Sequence, residues 1–329
     1  MSENKDKACT PCHMTSIGGS AVMEGVMMKG PKEIATAVRK PDGEIIIDKK
    51  PVGSLVTKYH VNKIPIVRGV FGFFDSMISS MKALMFSAEF VDLEGEEEEE
   101  KMGKFETWLT NKLGDKMKDF IIYVSVIISI IFSVGLFMLL PKVIADGFDY
   151  FVDIGGFRSV IEGVVRILIF LGYILLVSQM EDIKRVFEYH GAEHKTIFCY
   201  EQGLELTPEN AAKMSRLHPR CGTSFLVFVM VISIVLFFFV PDFKEEYGFW
   251  LGMLAGLGVR ILLLPVVSGL SYELIRWAGR SQNKFVALLS KPGMWMQKIT
   301  TREPDLDQLE VAIAAMKAVL TDNKEDDKW

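Results

Sequence analysis

Four blocks of the chain are almost uninterrupted in apolar residues: Phe120 to Leu140, Arg158 to Ser178, Gly222 to Val240 and Gly248 to Leu270. Each is long enough, as a helix, to cross roughly 30 Å of hydrocarbon. Pro141 and Pro241 stand directly behind the first and third blocks, where proline stops a helix. The third block carries no charge, which argues against a half-exposed soluble helix. The pattern predicts a mainly α membrane protein, a four-span helical bundle over residues 105–280.

The polar remainder has its own periodicities. Ile34–Arg39 and Glu44–Asp48 read as strands separated by Pro41-Asp42-Gly43, which is turn chemistry. Residues 17–92 thus form a small β-containing cytosolic region that continues into a helix. On that helix Val70, Phe73, Phe74, Met77, Met81, Leu84 and Met85 recur at helical spacing, a stripe suited to core packing or a membrane surface. An acidic linker spans 93–104. Phe105, Trp108, Leu109, Leu113 and Met117 mark an amphipathic approach helix to the first span. In the C-terminal region, 281–329, Leu306, Leu309, Ile313, Met316 and Leu320 mark a cytosolic helix, beyond which the final Asp and Lys residues are expected to fray. Residues 1–16 read as a disordered tail.

Charge orients the spans. The 141–158 connection sets Lys142 and Arg158 against Asp146, Asp149 and Asp153, and the 241–247 connection sets Lys244 against Asp242, Glu245 and Glu246. The 179–221 loop instead holds Lys184, Arg185, Lys195, Lys213, Arg216 and Arg220. That loop and both termini therefore face the cytosol, the bilayer being the cytoplasmic (inner) membrane. The four cysteines are then expected reduced and unpaired.

Composition adds little beyond this. The 329 residues are 50% hydrophobic and 24% charged, as segregated apolar and polar blocks require, and the net charge of −5 owes much to the run Glu96–Glu100. No basic stripe with interleaved aromatics exists, which excludes nucleic acid as a partner. The first residues lack the apolar core of a signal peptide. Cys9-Thr10-Pro11-Cys12-His13 matches the haem-attachment string, but a cytosolic tail is the wrong place for haem. A reduced tail is the preferred reading there, with zinc or redox chemistry as the alternative.

The chemistry centres on His190-Gly191-Ala192-Glu193-His194, the His-x-x-Glu-His spacing, in the 179–221 loop. On a helix the two imidazoles lie on one face, suited to one metal ion, with Glu193 beside them to take a proton from water. At about 100° per residue, Ile183, Phe187, His190, His194 and Ile197 share one stripe. The histidines thus point toward protein or bilayer. Buried imidazoles need partners on their ring nitrogens, and a metal supplies one for each. A third ligand must come from elsewhere. His218 or Cys221, in His218-Pro219-Arg220-Cys221-Gly222-Thr223-Ser224, are the best placed, and a cysteine at a helix start beside Arg220 favours thiolate. Cys199 and Glu201 are weaker candidates, Glu201 lying about 10 Å along the helix from His194. The plainer alternative makes the histidines hydrogen-bonded core residues and Glu193 a surface ion pair.

Charges inside the spans need partners. Glu162 and Arg166 stand four apart and read as a structural pair; Arg260 sits mid-span without an evident one. Glu24, within Ala21–Met28, is expected to pair with a cation such as Arg68 or to be exposed.

Several segments together resemble the YqhQ-like family of uncharacterised bacterial membrane proteins: Ile17–Pro31, Ile64–Gly69, Tyr189–Lys195, His218–Ser224, Ser271–Arg276 and Thr300–Pro304. They cover nearly the whole chain except the Cys9/Cys12/His13 tail. The resemblance implies a metal-dependent enzyme and brings no substrate with it.

The resulting expectation is a divalent-metal, zinc-dependent hydrolase at the cytoplasmic membrane face. His190 and His194 bind the ion with His218 or Cys221, and Glu193 is the catalytic base. A lipid-linked or peptide substrate suits a site at the lipid bilayer. Two rivals are an adaptor or assembly factor docking a cytosolic protein partner, and an oligomeric transporter built around Arg260.

Overall fold

The computed structural model describes residues 13–53, 55–59, 61–90, 117–152, 157–241, 243–281, 283–323 and 325–328. The chain divides into two compact units. One comprises Met1–Asp92, Ile174–Ser233 and Leu263–Trp329; the other comprises Leu93–Tyr173 and Ile234–Leu262.

The first unit is built on a four-stranded antiparallel meander: β1 (Gly18–Val22), β2 (Gly25–Lys29), β3 (Glu33–Arg39) and β4 (Ile45–Pro51), in that spatial order. The Pro41-Asp42-Gly43 turn joins β3 to β4 as the sequence predicts, with Gly43 at φ 87°. Ala21–Met28 resolves into a hairpin, Val22 pairing Gly25 across a turn in which Glu24 takes φ 47°.

The two inner strands are buried on both faces, which is why this stretch reads as a continuous apolar run rather than an alternation. Val26, Met28, Ala35 and Ala37 face one core. Val22, Met27 and Val38 face the other, under Ala83 of α1 (Val67–Ala88). The first core is closed by α5 (Glu181–Glu201) and α10 (Leu306–Val319). Tyr189, Ala192 and Ile197 come from α5, and Leu309, Ala312 and Met316 from α10. Fully buried side chains such as Leu309 and Met316 each contribute about 1.5–3 kcal/mol. A capping box starts α10: the Asp305 carboxylate accepts from Gln308 N, and the Gln308 side chain accepts from Asp305 N.

Two expectations fail at the ends of the chain. Residues 13–16, read as part of a disordered tail, are packed, and the terminal Asp/Lys residues do not all fray. Thr15 bridges Lys328. Asp327, 1% exposed, accepts hydrogen bonds from Thr15 and Tyr200, and His13 Nε2 lies 2.7 Å from its carboxylate. These partners lie far apart in sequence, and no local pattern signals them. Cys9, Cys12, the acidic linker and the approach helix up to residue 116 lie outside the described residues.

Among the described residues, three segments are long and apolar enough to cross a membrane, as in a membrane protein: Val124–Phe151, Arg158–Val177 and Glu246–Gly279. The third predicted block, which follows the short α6 (Pro208–Ala212), is a shorter apolar helix, α7 (Gly222–Phe238, 17 residues).

In the second unit the first segment does not stop at Pro141. It runs from α2 (Met117–Val134) through a π-helical turn (Gly135–Leu139) into α3 (Leu140–Phe151). A proline strips the carbonyl four residues back of its helical donor. That carbonyl, Phe137 O, instead accepts from Arg166 Nε at 2.9 Å. Arg166 sits on α4 (Arg158–Val177), where it also reaches Glu162. Glu162 has a second cation as well. Arg260, on α8 (Lys244–Arg280), donates from both Nη atoms to its two oxygens, at 2.6 and 2.8 Å. The expected Glu162–Arg166 pair is therefore a buried triad, and Arg260 belongs to it.

Candidate metal centre

Helix α5 brings Tyr189–Lys195 under the sheet and α10. The two histidines therefore face protein rather than lipid. Gly191 is what allows the next element in. A Cβ there would overlap the carbonyl oxygen of Arg302. Without one, Thr300–Pro304, which follows α9 (Lys284–Thr300), lies against α5, and Arg302 N donates to Phe187 O at 2.8 Å. This contact delivers the Thr300 carbonyl to His190 Nδ1 at 2.9 Å. His194 Nδ1 is likewise 2.5 Å from the carbonyl of Arg216. Arg216 in turn donates to Thr301 O and, with Lys195, pairs with Glu303.

A carbonyl oxygen only accepts, so both Nδ1 atoms carry hydrogen. In the neutral rings both Nε2 atoms then present lone pairs. This is the arrangement that metal-binding histidines use to fix tautomer and ring orientation. The Nε2 atoms converge on Cys221: His190 Nε2 is 3.2 Å from its sulfur. One ring nitrogen from each histidine and Cys221 Sγ all lie within 4.8 Å of one another, and with both Nδ1 atoms held by carbonyls the Nε2 atoms are the ones left to bind. Glu193 Oε2 is buried and, among the described residues, has no hydrogen-bond partner, and His194 Nε2 is buried with only the Cys221 sulfur to face. Two imidazole nitrogens, one sulfur and a spare carboxylate oxygen fit a tetrahedral N/S ion such as zinc, three protein ligands leaving one position open.

Cys221 sits immediately before α7, and Thr223 points its N–H (3.5 Å) and hydroxyl (3.4 Å) at the sulfur. Its loop is gripped by a fully buried side chain, Gln297 of α9, which accepts from His218 N and donates to His218 O, both at 2.8 Å. On the other side, the backbone N–H of Gly19 in β1 bonds the Glu193 carboxylate. A Cβ on Gly19 would stand 3.0 Å from Glu193 Cδ and 2.6 Å from Met27 O.

Of the two candidate third ligands, the fold brings in Cys221 and not His218. The His218 ring faces Glu201, its Nε2 3.6 Å from Glu201 Oε2, while Arg220 pairs with the other carboxylate oxygen. Glu201 is fully buried and also accepts from Thr15 N at 2.9 Å, so it serves as a structural anchor away from the cluster. Cys199 is buried near Glu205 O.

The electrostatics of the cluster follow from this packing. Burial works against an imidazolium at His190, but the Cys221 sulfur and Glu193 outweigh it and push His190 up to about 9. Burial likewise resists a thiolate, yet the two imidazoles hold Cys221 well below the ordinary thiol value. Burial pushes the Glu193 carboxyl up, with the histidines opposing. His218 is pushed down, again by burial, despite Glu201.

Glu24 and Arg68 have other partners than each other. Glu24 is held by both arms of the Arg185 guanidinium and by the Tyr189 hydroxyl. Arg68 makes a two-point bond to Glu273, and next to it Ile66 is strained into φ 67°. Thus Ile64–Gly69 meets Ser271–Arg276, and the other strings that carry the family resemblance, Ile17–Pro31, Tyr189–Lys195, His218–Ser224 and Thr300–Pro304, meet around Cys221. The sequence reading missed Thr300 O, Arg216 O, Gln297 and Gly19; the glycine inside His-x-x-Glu-His was a usable signal for a close backbone approach.

The chain is 36% identical over 306 residues, 92% of each protein, to "Uncharacterized protein YqhQ" of Bacillus subtilis (strain 168). No solved structure matches. Residues 64–322, from the segment entering α1 to the end of α10, match the family described as "Protein of unknown function (DUF1385)", and the chain belongs to that family.

Proposed function

We propose that this protein is a zinc-dependent hydrolase of the cytoplasmic membrane, with its centre on the cytosolic side. The observation that carries the reading is the convergence of His190 Nε2, His194 Nε2 and Cys221 Sγ, with both Nδ1 atoms already committed to carbonyl oxygens. Zinc held by His190, His194 and Cys221 would supply a Lewis acid and would make water nucleophilic near neutral pH. Glu193, buried and with one carboxylate oxygen unpartnered, takes the proton from the attacking water and returns it to the leaving group. Gly19 N–H and the α5 backbone fix that carboxylate in place.

Four crossings with both termini inside belong to the same proposal, and parity supports them. Residues 13–51, α5 and α10 share one core, so they lie on one side of the membrane. Two apolar segments separate the first from the second, and α7 and Glu246–Gly279 separate the second from the third. If Glu246–Gly279 crossed alone the core would be split, which favours α7 as a further crossing. Its 17 residues reach about 26 Å, and Phe239 and Val240 extend it toward the ~30 Å needed. The Lys and Arg excess of residues 179–221 supports a cytosolic position for the shared core. A transporter built on Arg260 needs that guanidinium to meet its cargo, and both Nη atoms are already on Glu162.

Elemental analysis of the full chain, purified in mild detergent without chelator, tests the metal. About one zinc per chain is expected, lost in His190→Ala and Cys221→Ala and kept in His218→Ala. Glu193→Gln should keep the zinc and abolish function in a complementation assay. Wild-type protein without stoichiometric metal sinks the proposal.

A further inference from the structure

Two adjoining clefts open on the cluster, one of about 650 Å³ with a mixed and more polar lining, the other of about 600 Å³ and mainly apolar. Glu193 and Cys221 line both; His194 lines the polar one alone and His190 the apolar one alone. The would-be ligands therefore stand at a waist between two unlike lobes. Helix α1 is sided to match. Ser76 and Ser80 border both lobes, and Ser79, Asp75 and Lys29 of β2 line only the polar one. Phe73 and Met77 line only the apolar one, facing Phe187 on α5 and Phe225 on α7.

The apolar lobe is walled by membrane-type helices. Tyr272 and Ile275 belong to the segment Glu246–Gly279, which is long and apolar enough to cross a bilayer. Phe225, in the first turn of α7, stacks on Phe73 at 5.6 Å. Phe73 and Met77 remain 36% and 43% exposed, and the outer face of α1 continues with exposed Phe74, Met81, Leu84 and Met85. So long an apolar face is not left to water. Arg68 ties the start of α1 to Glu273 near the end of that crossing segment, which places the face at the level of the headgroups and upper acyl chains.

We infer that the ligand of this centre is a membrane amphiphile that enters sideways from the cytosolic leaflet, its acyl chain in the apolar lobe and its polar head in the serine-lined lobe. The bond joining head and tail then lies at the waist, beside Glu193 and Cys221. The fate of the ligand rests on the hydrolase reading: one water adds across that bond, its hydroxyl going to the acyl or phosphoryl fragment and its proton to the leaving oxygen or nitrogen. Binding does not rest on it.

The full chain reconstituted in phosphatidylethanolamine–phosphatidylglycerol vesicles, doped with phosphatidylglycerol bearing an acyl-chain diazirine, tests this. After photolysis, labelled residues are mapped by mass spectrometry, and zinc content and melting midpoint are measured on the same samples. Label is expected on Phe187 and the Phe73–Met77 peptide. Met77→Trp, which fills the lobe, should cut label at Phe187 about tenfold, and Met77→Ala should leave it within about twofold. Leu168, exposed on α4, reports ordinary annular lipid and should label equally in every variant. Phe225→Trp closes the lobe from the opposite wall and repeats the test if Met77→Trp fails to fold. Label at Phe187 that tracks Leu168 in every variant, or that a water-soluble peptide rather than lipid displaces, overturns the inference. Size-sensitive label on protein without zinc upholds it while removing the hydrolase reading.

Discussion

Gly191→Ala isolates the contact on which the cluster geometry turns. In an ordinary helix this change gains about 0.5–1 kcal/mol by restricting the unfolded chain. Here the new methyl overlaps Arg302 O, and the Thr300–Pro304 backbone must retreat by about 1 Å or more to restore normal contact. The retreat strains two hydrogen bonds, Arg302 N to Phe187 O and His190 Nδ1 to Thr300 O, at about 1 kcal/mol each. Overpacking adds about 1–3 kcal/mol. The net expectation is a destabilisation of about 2–4 kcal/mol. Loss of the carbonyl that orients His190 should also weaken metal binding about 10- to 100-fold. Gly172→Ala on α4 is the matched control, since nothing lies within 4 Å of its new methyl. Thermal unfolding of both variants in detergent, with zinc competition against a chromophoric chelator, reads the two effects. A Gly191→Ala protein that melts with Gly172→Ala and holds zinc at wild-type affinity would refute the reasoning.

The Arg166–Glu162–Arg260 triad carries a net positive charge, so its variants should rank by what they leave behind. Arg260→Leu leaves a neutral pair and should be tolerated, whereas Glu162→Leu strands two buried guanidinium groups and should cost about 3–5 kcal/mol, read as expression level and melting midpoint. The opposite order would be incompatible with a structural triad. Acid stability should depend on His218 and Glu201. Burial holds His218 below its ordinary 6.5. Burial opposes the Glu201 carboxylate, but His218 and Arg220 still hold it below its ordinary 4.5. In each case the unfolded chain binds the proton more readily, so stability is present above those values and is lost as pH falls below about 6.5 and then about 4.5. Glu201→Gln should flatten the lower limb of the melting-versus-pH curve; an unchanged limb would exclude Glu201 as its source. Metal binding should release about one proton per chain between pH 7 and about 9, since the metal-free His190–Cys221 pair holds one proton, on His190. Calorimetry in buffers of different ionisation enthalpy measures that number; a value near zero contradicts the pair, whereas release beyond one is the proton given up by metal-bound water.

Much of this was written locally. Apolar length located the membrane segments, Pro41-Asp42-Gly43 the hairpin turn, and the four-residue histidine spacing a shared face. What the sequence withheld depends on partners far along the chain. Pro141 looked like a helix stop because the donor that relieves its stranded carbonyl, Arg166, comes 25 positions later (166 − 141). His218 and Cys221 were equivalent candidates by position, and only the placement of Glu201 drew one ring away. Glu24 found Arg185 rather than Arg68 because the β1–β2 turn lies over α5.

The pairing of Thr15 with Lys328, and of the sheet with α10, sets an order on biogenesis. Strands β2 and β3 leave the ribosome long before α10 can cover them, and all the membrane-type segments described above lie between them and α10 in the chain. Until then Val26, Met28, Ala35 and Ala37 have no cover on that face, an aggregation hazard for any long-range topology. Ribosome stalling or truncation ahead of Leu306 should therefore yield an inserted but protease-sensitive chain, whose native resistance returns when residues 300–329 are supplied as a separate polypeptide.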